Sequence, residues 1–260
     1  MIELAEALRG TRWRRVEVLD STGSTNADAA VLAAAGEPDG AVVVALHQTA
    51  GRGRFDRRWE APPGAAVATS AVVRTDRPMV DWTWLPLVTG VAVLRGIRAV
   101  APGCELELKW PNDVLVAGGD APGKVCGILC ERHEGLSTAP GAAAVIGFGI
   151  NTSLTREQLP VPTATSLALA GFDVEPLTVV ASVLRELDDL LAVWQERGHL
   201  REAYTAACGS IGQNLRVQVS DTEQVSGVGD SIDPAGRLVV RTADGLRAFS
   251  AGDVVHLRRG

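Results

Sequence analysis

Residues 51–59 read Gly-Arg-Gly-Arg-Phe-Asp-Arg-Arg-Trp, a stretch with four arginines and two glycines in a chain whose formal net charge is −6. Like charges packed together repel, so a basic segment on an acidic protein indicates an anionic ligand. Arginine offers planar, bidentate donors for phosphate or carboxylate, and Gly51 and Gly53 let backbone N–H groups approach an oxyanion. Trp59 offers a flat face on which a base can stack. Taken alone, the segment would favour a solvated basic turn, the usual interpretation of a short charge run.

Composition limits the classes of protein to which the chain can belong. Its 260 residues, 46% of them apolar, are enough for one large domain or for a large domain with a small one. The acidic balance argues against general nucleic-acid binding, which needs a broad basic face. There is no uninterrupted apolar run long enough to span a membrane, and the N-terminal segment lacks the features of a signal peptide. We therefore expect no membrane association and a cytoplasmic location.

Cysteine and histidine give no sign of a disulfide framework or a zinc site. The cysteines form no C-x-x-C pair, and the histidines are scattered without H-E-x-x-H spacing. Free thiols in a reducing compartment are therefore predicted. The residues concerned are Cys104, Cys126, Cys130, Cys208, His47, His133, His199 and His256.

Strand-like and helix-like segments alternate as far as Cys208. Beyond it, short β-type runs alternate with turns such as Pro234-Ala235-Gly236, which predicts a small β-barrel. We therefore predict two domains, a catalytic domain of residues 1–208 and a barrel of residues 209–260. Predicted strands cover 16–19, 41–47, 67–74, 106–110, 114–116, 124–131, 143–151, 215–219, 226–233, 237–241, 248–249 and 254–257, and predicted helices cover 27–35, 84–100, 174–197 and 200–208.

Two familiar nucleotide-binding motifs are only partly matched. Gly118, Gly123 and Lys124 fit the start of a P-loop, but Val125 stands where Ser or Thr must hold Mg²⁺, and the residues that follow are β-like. The dinucleotide fingerprint begins at residues 51–53 and 147–149, yet its third glycine is missing in both places. Neither motif predicts the site.

Five short motifs stand along the chain: Ser24-Thr25-Asn26, Gln48–Arg54, Lys109–Asp113, Lys124 with Gly127–Leu129, and Gly147–Asn151. In this order and at this spacing they resemble the biotin protein ligases, with Q-T-A-G-R-G-R at 48–54 and K-W-P-N-D at 109–113 the most specific. The resemblance implies an α+β fold. It consists of a mixed β-sheet flanked by helices, the class II synthetase-like core of biotin and lipoate ligases, followed by a small SH3-like β-barrel.

The sequence departs from the family pattern in two places. Phe55 and Asp56 stand where many relatives carry a basic residue and a glycine, which removes one positive charge and adds a negative one. Only about twenty residues precede the Ser-Thr-Asn motif, too few for a three-helix DNA-binding module. The resemblance is therefore to the monofunctional ligases, and no repressor role is expected.

The resemblance implies a two-step reaction with biotin and ATP as substrates and Mg²⁺ on the phosphates. The biotin carboxylate attacks the α-phosphate and gives biotinyl-5′-AMP and pyrophosphate. A lysine of a biotin carboxyl carrier protein or domain of an acyl-CoA carboxylase then attacks the mixed anhydride and releases AMP. Two anions meet in the first step, and fixed cations stabilise the charge that develops. Arg52, Arg54 and Lys124 are the predicted catalytic cations.

The same resemblance implies which residues bind each ligand. Asp113 is the candidate Mg²⁺ ligand, with Asn112 as the alternative. The predicted biotin-binding residues are Ser24, Thr25, Asn26, Gln48, Gly51, Arg52, Gly53, Arg54, Lys124, Gly127 and Gly149, and the predicted nucleotide-binding residues are Arg54, Arg57, Arg58, Trp59, Lys109, Asn112 and Asn151.

Purely structural roles stay open for several of these residues. Ser24–Asn26 fit a plain helix N-cap, Gln48 and Asn151 fit strand ends, and Trp59 fits a core aromatic. For the whole chain, a lipoate ligase or octanoyltransferase is the nearest enzyme alternative, although K-W-P-N-D and the barrel favour biotin. A non-catalytic biotin sensor that represses transcription is the alternative from another class.

Overall fold

The computed structural model describes residues 3–55, 57–133, 142–220, 222–250 and 252–257. They form a seven-stranded sheet, a short hairpin, a five-stranded sheet and the helices around them. The strands are β1 (Arg15–Leu19), β2 (Ala41–Ala45), β3 (Gly51–Arg52), β4 (Arg58–Trp59), β5 (Ala66–Thr75), β6 (Leu106–Lys109), β7 (Asp113–Val116), β8 (Gly123–His133), β9 (Ala142–Asn151), β10 (Asn214–Gln218), β11 (Gln224–Ile232), β12 (Leu238–Thr242), β13 (Gly245–Phe249) and β14 (Asp253–His256). The helices are α1 (Leu4–Ala7), α2 (Thr25–Ala34), α3 (Leu85–Val100), α4 (Pro176–Arg197) and α5 (Arg201–Ala207), with 3₁₀ turns at Met79–Trp84 and Arg156–Gln158.

The large sheet has the strand order β1-β2-β5-β9-β8-β7-β6. Strands β1 and β2 run parallel and the other neighbouring pairs run antiparallel, so the sheet is mixed. One face is buried against α3 and α4, through side chains such as Val88 and Leu184. Helix α2 packs on the opposite face, where Ala29 and Ala33 meet Val145. The predicted α+β fold with helices on both faces of a mixed sheet is confirmed.

Most element boundaries differ from the sequence predictions by a few residues, and three differences concern helix starts and the basic segment. Helix α2 begins at Thr25, two residues early, because Ser24 has an extended backbone (φ −161) and takes the N-cap position. Segment 51–59, expected to be a loop, contains a small hairpin in which Gly51 pairs with Trp59 and Arg52 with Arg58. The helix expected from Trp84 is preceded by a 3₁₀ turn. These differences lie at element ends, where alternation and periodicity carry little information.

The C-terminal strands form an antiparallel sheet of order β13-β12-β11-β10-β14. Three successive carbonyl oxygens of its 234–236 turn accept hydrogen bonds from the larger domain: Pro234 O from Trp84 Nε1 (2.9 Å), Ala235 O from Thr83 Oγ1 (2.8 Å) and Gly236 O from Trp110 Nε1 (3.0 Å). Gly236 has φ +75, and a Cβ there would come within 3.0 Å of Leu87 Cδ1, so the turn requires glycine. The small domain is thereby docked at the start of α3.

One stretch of the described residues, Met79–Val100, is long and apolar enough to span a membrane by length and composition alone. It contains α3, and 67% of its apolar 18-residue window is buried inside the protein. A mostly buried core helix can be as long and as apolar as a membrane-spanning one, so this stretch is weak evidence for a membrane span.

Candidate active site

A polar cradle forms where the loops after β1 and β2 run side by side. Ala50 N–H donates to Gly23 O (2.8 Å), which brings Gln48 beside the first turn of α2. Gln48 Oε1 accepts from the backbone N–H of Thr25 (2.8 Å) and from Thr25 Oγ1 (3.1 Å). The first N–H groups of a helix have no partner within the helix, so the Gln48 amide takes the part of a capping side chain. Four predicted biotin-binding residues, Ser24, Thr25, Asn26 and Gln48, therefore meet here.

Strand β5 adds a serine to this cradle that the sequence analysis missed. Ser70 is fully buried, and its Oγ lies 2.6 Å from Asn26 Oδ1 and 2.8 Å from Thr25 Oγ1. The signal was a hydroxyl within the apolar run 66–73, in phase with Val72, which packs toward α2. A buried polar group needs hydrogen-bonding partners, and here Ser70 finds them at the start of α2.

Helix α2 is also held at its other end, by a buried arginine. Arg74 Nη2 donates to Ala33 O (2.8 Å) and Arg74 Nε donates to Glu37 O (2.8 Å). A cation at the C-terminus of a helix satisfies carbonyls that lack an intrahelical partner and complements the helix dipole. The helix is thus fixed at both ends, which fixes the position of Thr25 and Asn26.

Glycines form the floor beside the cradle. A Cβ at Gly149 would lie 2.7 Å from Trp59 Cε2, and one at Gly127 would lie 2.9 Å from Trp59 Cζ3, so the indole rests on the backbone of β8 and β9. A Cβ at Gly147 would collide with Asn26 Oδ1. The structure puts Trp59 over two predicted biotin-binding glycines. Its predicted role as an adenine platform stays a prediction.

Lys124 stands at the edge of this floor. Its Nζ lies 2.6 Å from Asp113 Oδ1 and 5.8 Å from the centre of the Trp59 ring, while Lys109 Nζ lies 3.6 Å from Asp113 Oδ2. Asp113 therefore sits between two ammonium groups on the K-W-P-N-D turn. The Asp113 carboxylate already pairs with two ammonium groups. The described residues contain no cluster of three carboxylate, histidine or cysteine groups that could hold a metal ion. These donors do not fit a metal site built from the protein alone, so Asp113 as an Mg²⁺ ligand stays a prediction without structural support.

Three arginines of the basic segment contact other parts of the chain. Arg52 Nη2 lies 2.9 Å from Glu131 Oε2 on β8, and Arg57 pairs with Asp253 on β14. Arg54 Nη1 donates to Asn112 Oδ1 (3.1 Å) and to Gly252 O (3.4 Å), and burial lowers the pKa of Arg54. Arg58 is largely exposed, 3.9 Å from Glu60. Asp56 lies outside the described residues. The hairpin thus bridges the sheet and the C-terminal domain.

Asn151 and the cysteines have partners of their own. Asn151 is buried, and its Nδ2 donates to Thr165 O (2.9 Å), while Thr165 N–H donates to Lys124 O (2.9 Å). The predicted nucleotide-binding role of Asn151 stays a prediction. Burial raises the pKa of Cys130 to about 12, and that of Cys126 further, so both thiols are packing groups and not nucleophiles at neutral pH. The four cysteines are free, as expected.

His256 of β14 ties the C-terminal domain to the K-W-P-N-D turn. Its Nε2 lies 2.9 Å from Ser210 Oγ, which accepts from the Trp110 N–H (3.2 Å). Burial, together with the charge of Lys109, lowers the pKa of His256. In the tautomer with Nε2 unprotonated, neutral His256 accepts the Ser210 hydroxyl proton, and an imidazolium cannot.

We expect this histidine to make stability depend on pH. Its pKa in the folded state lies below that in the unfolded chain, about 6.5, so the unfolded chain takes up the proton first. The stabilisation is present above about pH 6.5 and is lost as the pH falls from there through the folded-state pKa. His256→Gln should therefore show a smaller drop in Tm between about pH 7.5 and 5.5 than the wild type, measured by calorimetry. Parallel pH profiles of the two proteins would contradict this prediction.

Comparisons with known proteins agree with the motifs and the geometry. Residues 17–151 match the biotin/lipoate A/B protein ligase family, and residues 210–257 match the biotin protein ligase C-terminal domain. The chain belongs to the biotin/lipoate A/B protein ligase family, and its C-terminal domain is of the type found in biotin protein ligases.

Individual relatives show which members of this family the chain resembles. A protein named biotin–[acetyl-CoA-carboxylase] ligase from Mycobacterium tuberculosis is 40% identical over 255 residues, covering 96% of this chain and 91% of its own length. One of the same name from Paracoccus denitrificans is 32% identical over 254 residues, covering 91% of this chain and 98% of its own length. The biotin protein ligase from Aquifex aeolicus, solved in complex with biotin and ATP, superposes with a TM-score of 0.74 at 21% identity over 94% of this chain and 100% of that one. The identification of the chain as a member of the biotin protein ligases is confirmed.

Proposed function

We propose that this chain activates biotin with ATP to biotinyl-5′-AMP and transfers the biotin to a specific lysine of a biotin carboxyl carrier protein or domain. The observation that carries the proposal is the adjacency of two unlike regions. A neutral polar cradle and a glycine floor lie on one side, and cations fixed by carboxylate and amide groups lie on the other. Binding sites of this kind combine room for a ring with a few placed polar groups. The names of the curated relatives support the carrier as the protein substrate.

The cradle suits the ureido end of biotin. Thr25, Asn26, Ser70 and Gln48 supply hydroxyl and amide groups that both donate and accept, as a cyclic urea requires. The glycines keep the sheet surface flat, and the Trp59 indole rests directly on it, so the indole supplies an apolar wall beside the cradle for a bicyclic ring. A pocket for a purely apolar acyl chain would leave these polar groups without partners, so the cradle favours biotin over lipoate.

The cations suit the first chemical step. The biotin carboxylate and the α-phosphate of ATP repel each other, and Lys124, Arg52 and Arg54 offset that repulsion with charge that is already in position. Asp113 holds the Lys124 ammonium at 2.6 Å, and Asn112 Oδ1 accepts from Arg54. Lys109 adds positive charge on the same turn. Mg²⁺ bound to the nucleotide would supply further positive charge at the phosphates.

We also propose the domain division at 208/209, with a specific task for the second domain. Gly252 O and the Asp253 carboxylate hold Arg54 and Arg57, so the C-terminal domain helps to keep the hairpin over the site. A cytoplasmic location is part of the proposal, because the carboxylase carrier and ATP are found there.

The test is an adenylation assay with α-labelled ATP and either biotin or lipoate, followed by addition of a biotin carrier domain. We expect labelled adenylate with biotin and biotinylation of the carrier lysine after the carrier is added. Adenylate with lipoate alone would assign the chain to the lipoate branch of the family. Tight biotin binding without adenylate would make it a sensor.

Arg54→Gly should weaken retention of the adenylate more than it weakens binding of biotin. The guanidinium bridges Asn112 and Gly252, so its loss removes one contact of the hairpin to the turn and one of its contacts to the C-terminal domain, where the Arg57–Asp253 pair remains. A charge-assisted hydrogen bond is worth about 1.5–3 kcal/mol, which corresponds to adenylate release faster by about ten- to a hundredfold. The measurement is a chase of preformed adenylate with unlabelled biotin and ATP, with calorimetric biotin affinity in parallel. Unchanged release would mean that Arg54 acts as an ordinary loop residue.

A further inference from the structure

Glu131 lies outside every recognised motif, and its carboxylate joins two parts of the site. Its Oε2 accepts from Asn26 Nδ2 in the cradle (2.7 Å) and from Arg52 Nη2 on the hairpin (2.9 Å). It stands on β8 four residues after Gly127, so that both side-chain positions project from the same face of the sheet. The carboxylate is about one-quarter exposed, at 26%, and Asn26 is buried at 6%. Glu131 Oε2 therefore contacts both the polar cradle, through Asn26, and the basic hairpin, through Arg52.

The carboxylate sets the direction of the hydrogen bonds in the cradle. An ionised carboxylate only accepts, so Asn26 must turn Nδ2 toward Glu131 and toward Leu129 O (3.2 Å). Its Oδ1 then faces Ser70 and can only accept, so the single Ser70 hydroxyl proton goes to Asn26. Ser70 Oγ then has no proton for Thr25 Oγ1, 2.8 Å away, and the one Thr25 hydroxyl proton has two acceptors, Ser70 Oγ and Gln48 Oε1. The donors and acceptors that the cradle offers to a ligand thus depend on Glu131.

The same carboxylate holds the hairpin through Arg52. Arg52 pairs in register with Arg58 on β4, and Trp59 follows directly on that strand. The Arg52–Glu131 ion pair therefore fixes the strand that carries the indole resting on Gly127 and Gly149. Loss of the pair would remove this contact of the hairpin to β8, and loss of the Asn26 contact would leave Asn26 Nδ2 with only Leu129 O as acceptor.

We propose that Glu131 is a positioning residue that couples the closed hairpin to the orientation of the biotin cradle. It acts through Asn26 and Arg52 and does not itself take part in the chemical step. The inference rests on the proposed assignment of the cradle to biotin.

Two substitutions separate the two contacts. Glu131→Gln keeps an acceptor for Asn26 but loses the charge that holds Arg52, so we expect biotin affinity within about twofold of wild type and adenylate release faster by about two- to fivefold, the range for a partly exposed ion pair. Glu131→Ala also leaves one of the two Nδ2 protons of the buried Asn26 without its acceptor, with only Leu129 O remaining, so the biotin dissociation constant should rise by about tenfold. Affinity is measured by calorimetry without ATP, release by chase of preformed adenylate, and folding by Tm. Glu223→Gln is the matched control, since Glu223 pairs with Arg247 at 3.0 Å on the C-terminal domain.

A double-mutant cycle with Arg52→Gln tests the coupling. If Glu131 holds the hairpin through Arg52, then Glu131→Gln should not speed release further in the Arg52→Gln background. Additive effects on release, or wild-type affinity and release in Glu131→Ala, would overturn the proposal. So would a drop in Tm without a change in binding, because that is the signature of a structural contact. Absence of biotin binding by the wild type would refute the ligand assignment itself, which keeps the two failures distinct.

Discussion

Replacing Lys124 with alanine should lower the rate of adenylate formation by about a hundred- to a thousandfold, the loss seen when one preorganised charge-stabilising group is removed from an active site. Lys124 is the ammonium that Asp113 holds at 2.6 Å beside the Trp59 indole. In the proposed reaction it offsets the charge where the biotin carboxylate and the α-phosphate meet. The side chain is one-third exposed, at 33%, so its removal leaves no buried cavity. The measurement is the single-turnover rate of adenylate formation at saturating biotin and ATP, with Tm measured on the same sample.

The controls for this variant follow from the same geometry. Lys124→Arg keeps the charge but changes the compact ammonium into a planar fork, so it should restore only part of the rate. Arg9→Ala removes an exposed cation that faces Glu6 far from the site, and it should leave the rate unchanged. A Lys124→Ala protein that forms adenylate within about threefold of the wild-type rate would remove Lys124 from the catalytic assignment.

Gly149→Ala should raise the biotin dissociation constant by about a hundredfold, because a misplacement of about 1 Å in a binding group can cost that much. The added Cβ would lie 2.7 Å from Trp59 Cε2, too close for carbon atoms, so the indole must move. It cannot move alone, since Trp59 is paired in register with Gly51 in the hairpin. Calorimetric titration with biotin in the absence of ATP measures this effect directly.

Gly90→Ala is the matched control for the glycine substitution. Gly90 lies in α3 on the opposite face of the sheet, and a Cβ there would find Leu108 Cδ2 at 3.4 Å, an ordinary contact. Alanine in a helix interior is favoured over glycine by about 0.5–1 kcal/mol, so Gly90→Ala should keep biotin affinity and raise Tm slightly. Equal biotin affinity in Gly149→Ala and Gly90→Ala would show that the indole does not contact the ligand.

Most of the fold could be predicted from the sequence because its signals are local. The strands that form β2, β5 and β9 are continuous apolar runs, and the pattern of residues 174–197 has a clear helical period. The hairpin at 51–59 could not be predicted, because its two-residue strands are charged and their pairing depends on contacts with Glu131 and Asp253, far along the chain. The early start of α2 likewise depends on Gln48, which lies on another loop.

The residues that the structure brings together at the candidate site were named from the sequence where they lie in motifs and were missed where they do not. Ser70 and Glu131 stand inside strands that are otherwise apolar or mixed, and a single polar residue in a strand has many uses. The pairing of Asp113 with two lysines could not be read from spacing, because Lys124 reaches it only through the register of β7 and β8. Trp59 was assigned to stacking from its chemistry alone, whereas its position depends on two glycines on neighbouring strands.

The 234–236 turn has a spectroscopic consequence. Two of the six tryptophans, Trp84 and Trp110, donate their indole N–H groups to carbonyls of this turn, and both rings are buried. Indole emission shifts to longer wavelength when the ring moves from an apolar, hydrogen-bonded setting into water. Both fluorophores lose their partner at the same moment if the C-terminal domain swings away. The junction therefore carries an intrinsic optical reporter of domain undocking that requires no attached dye.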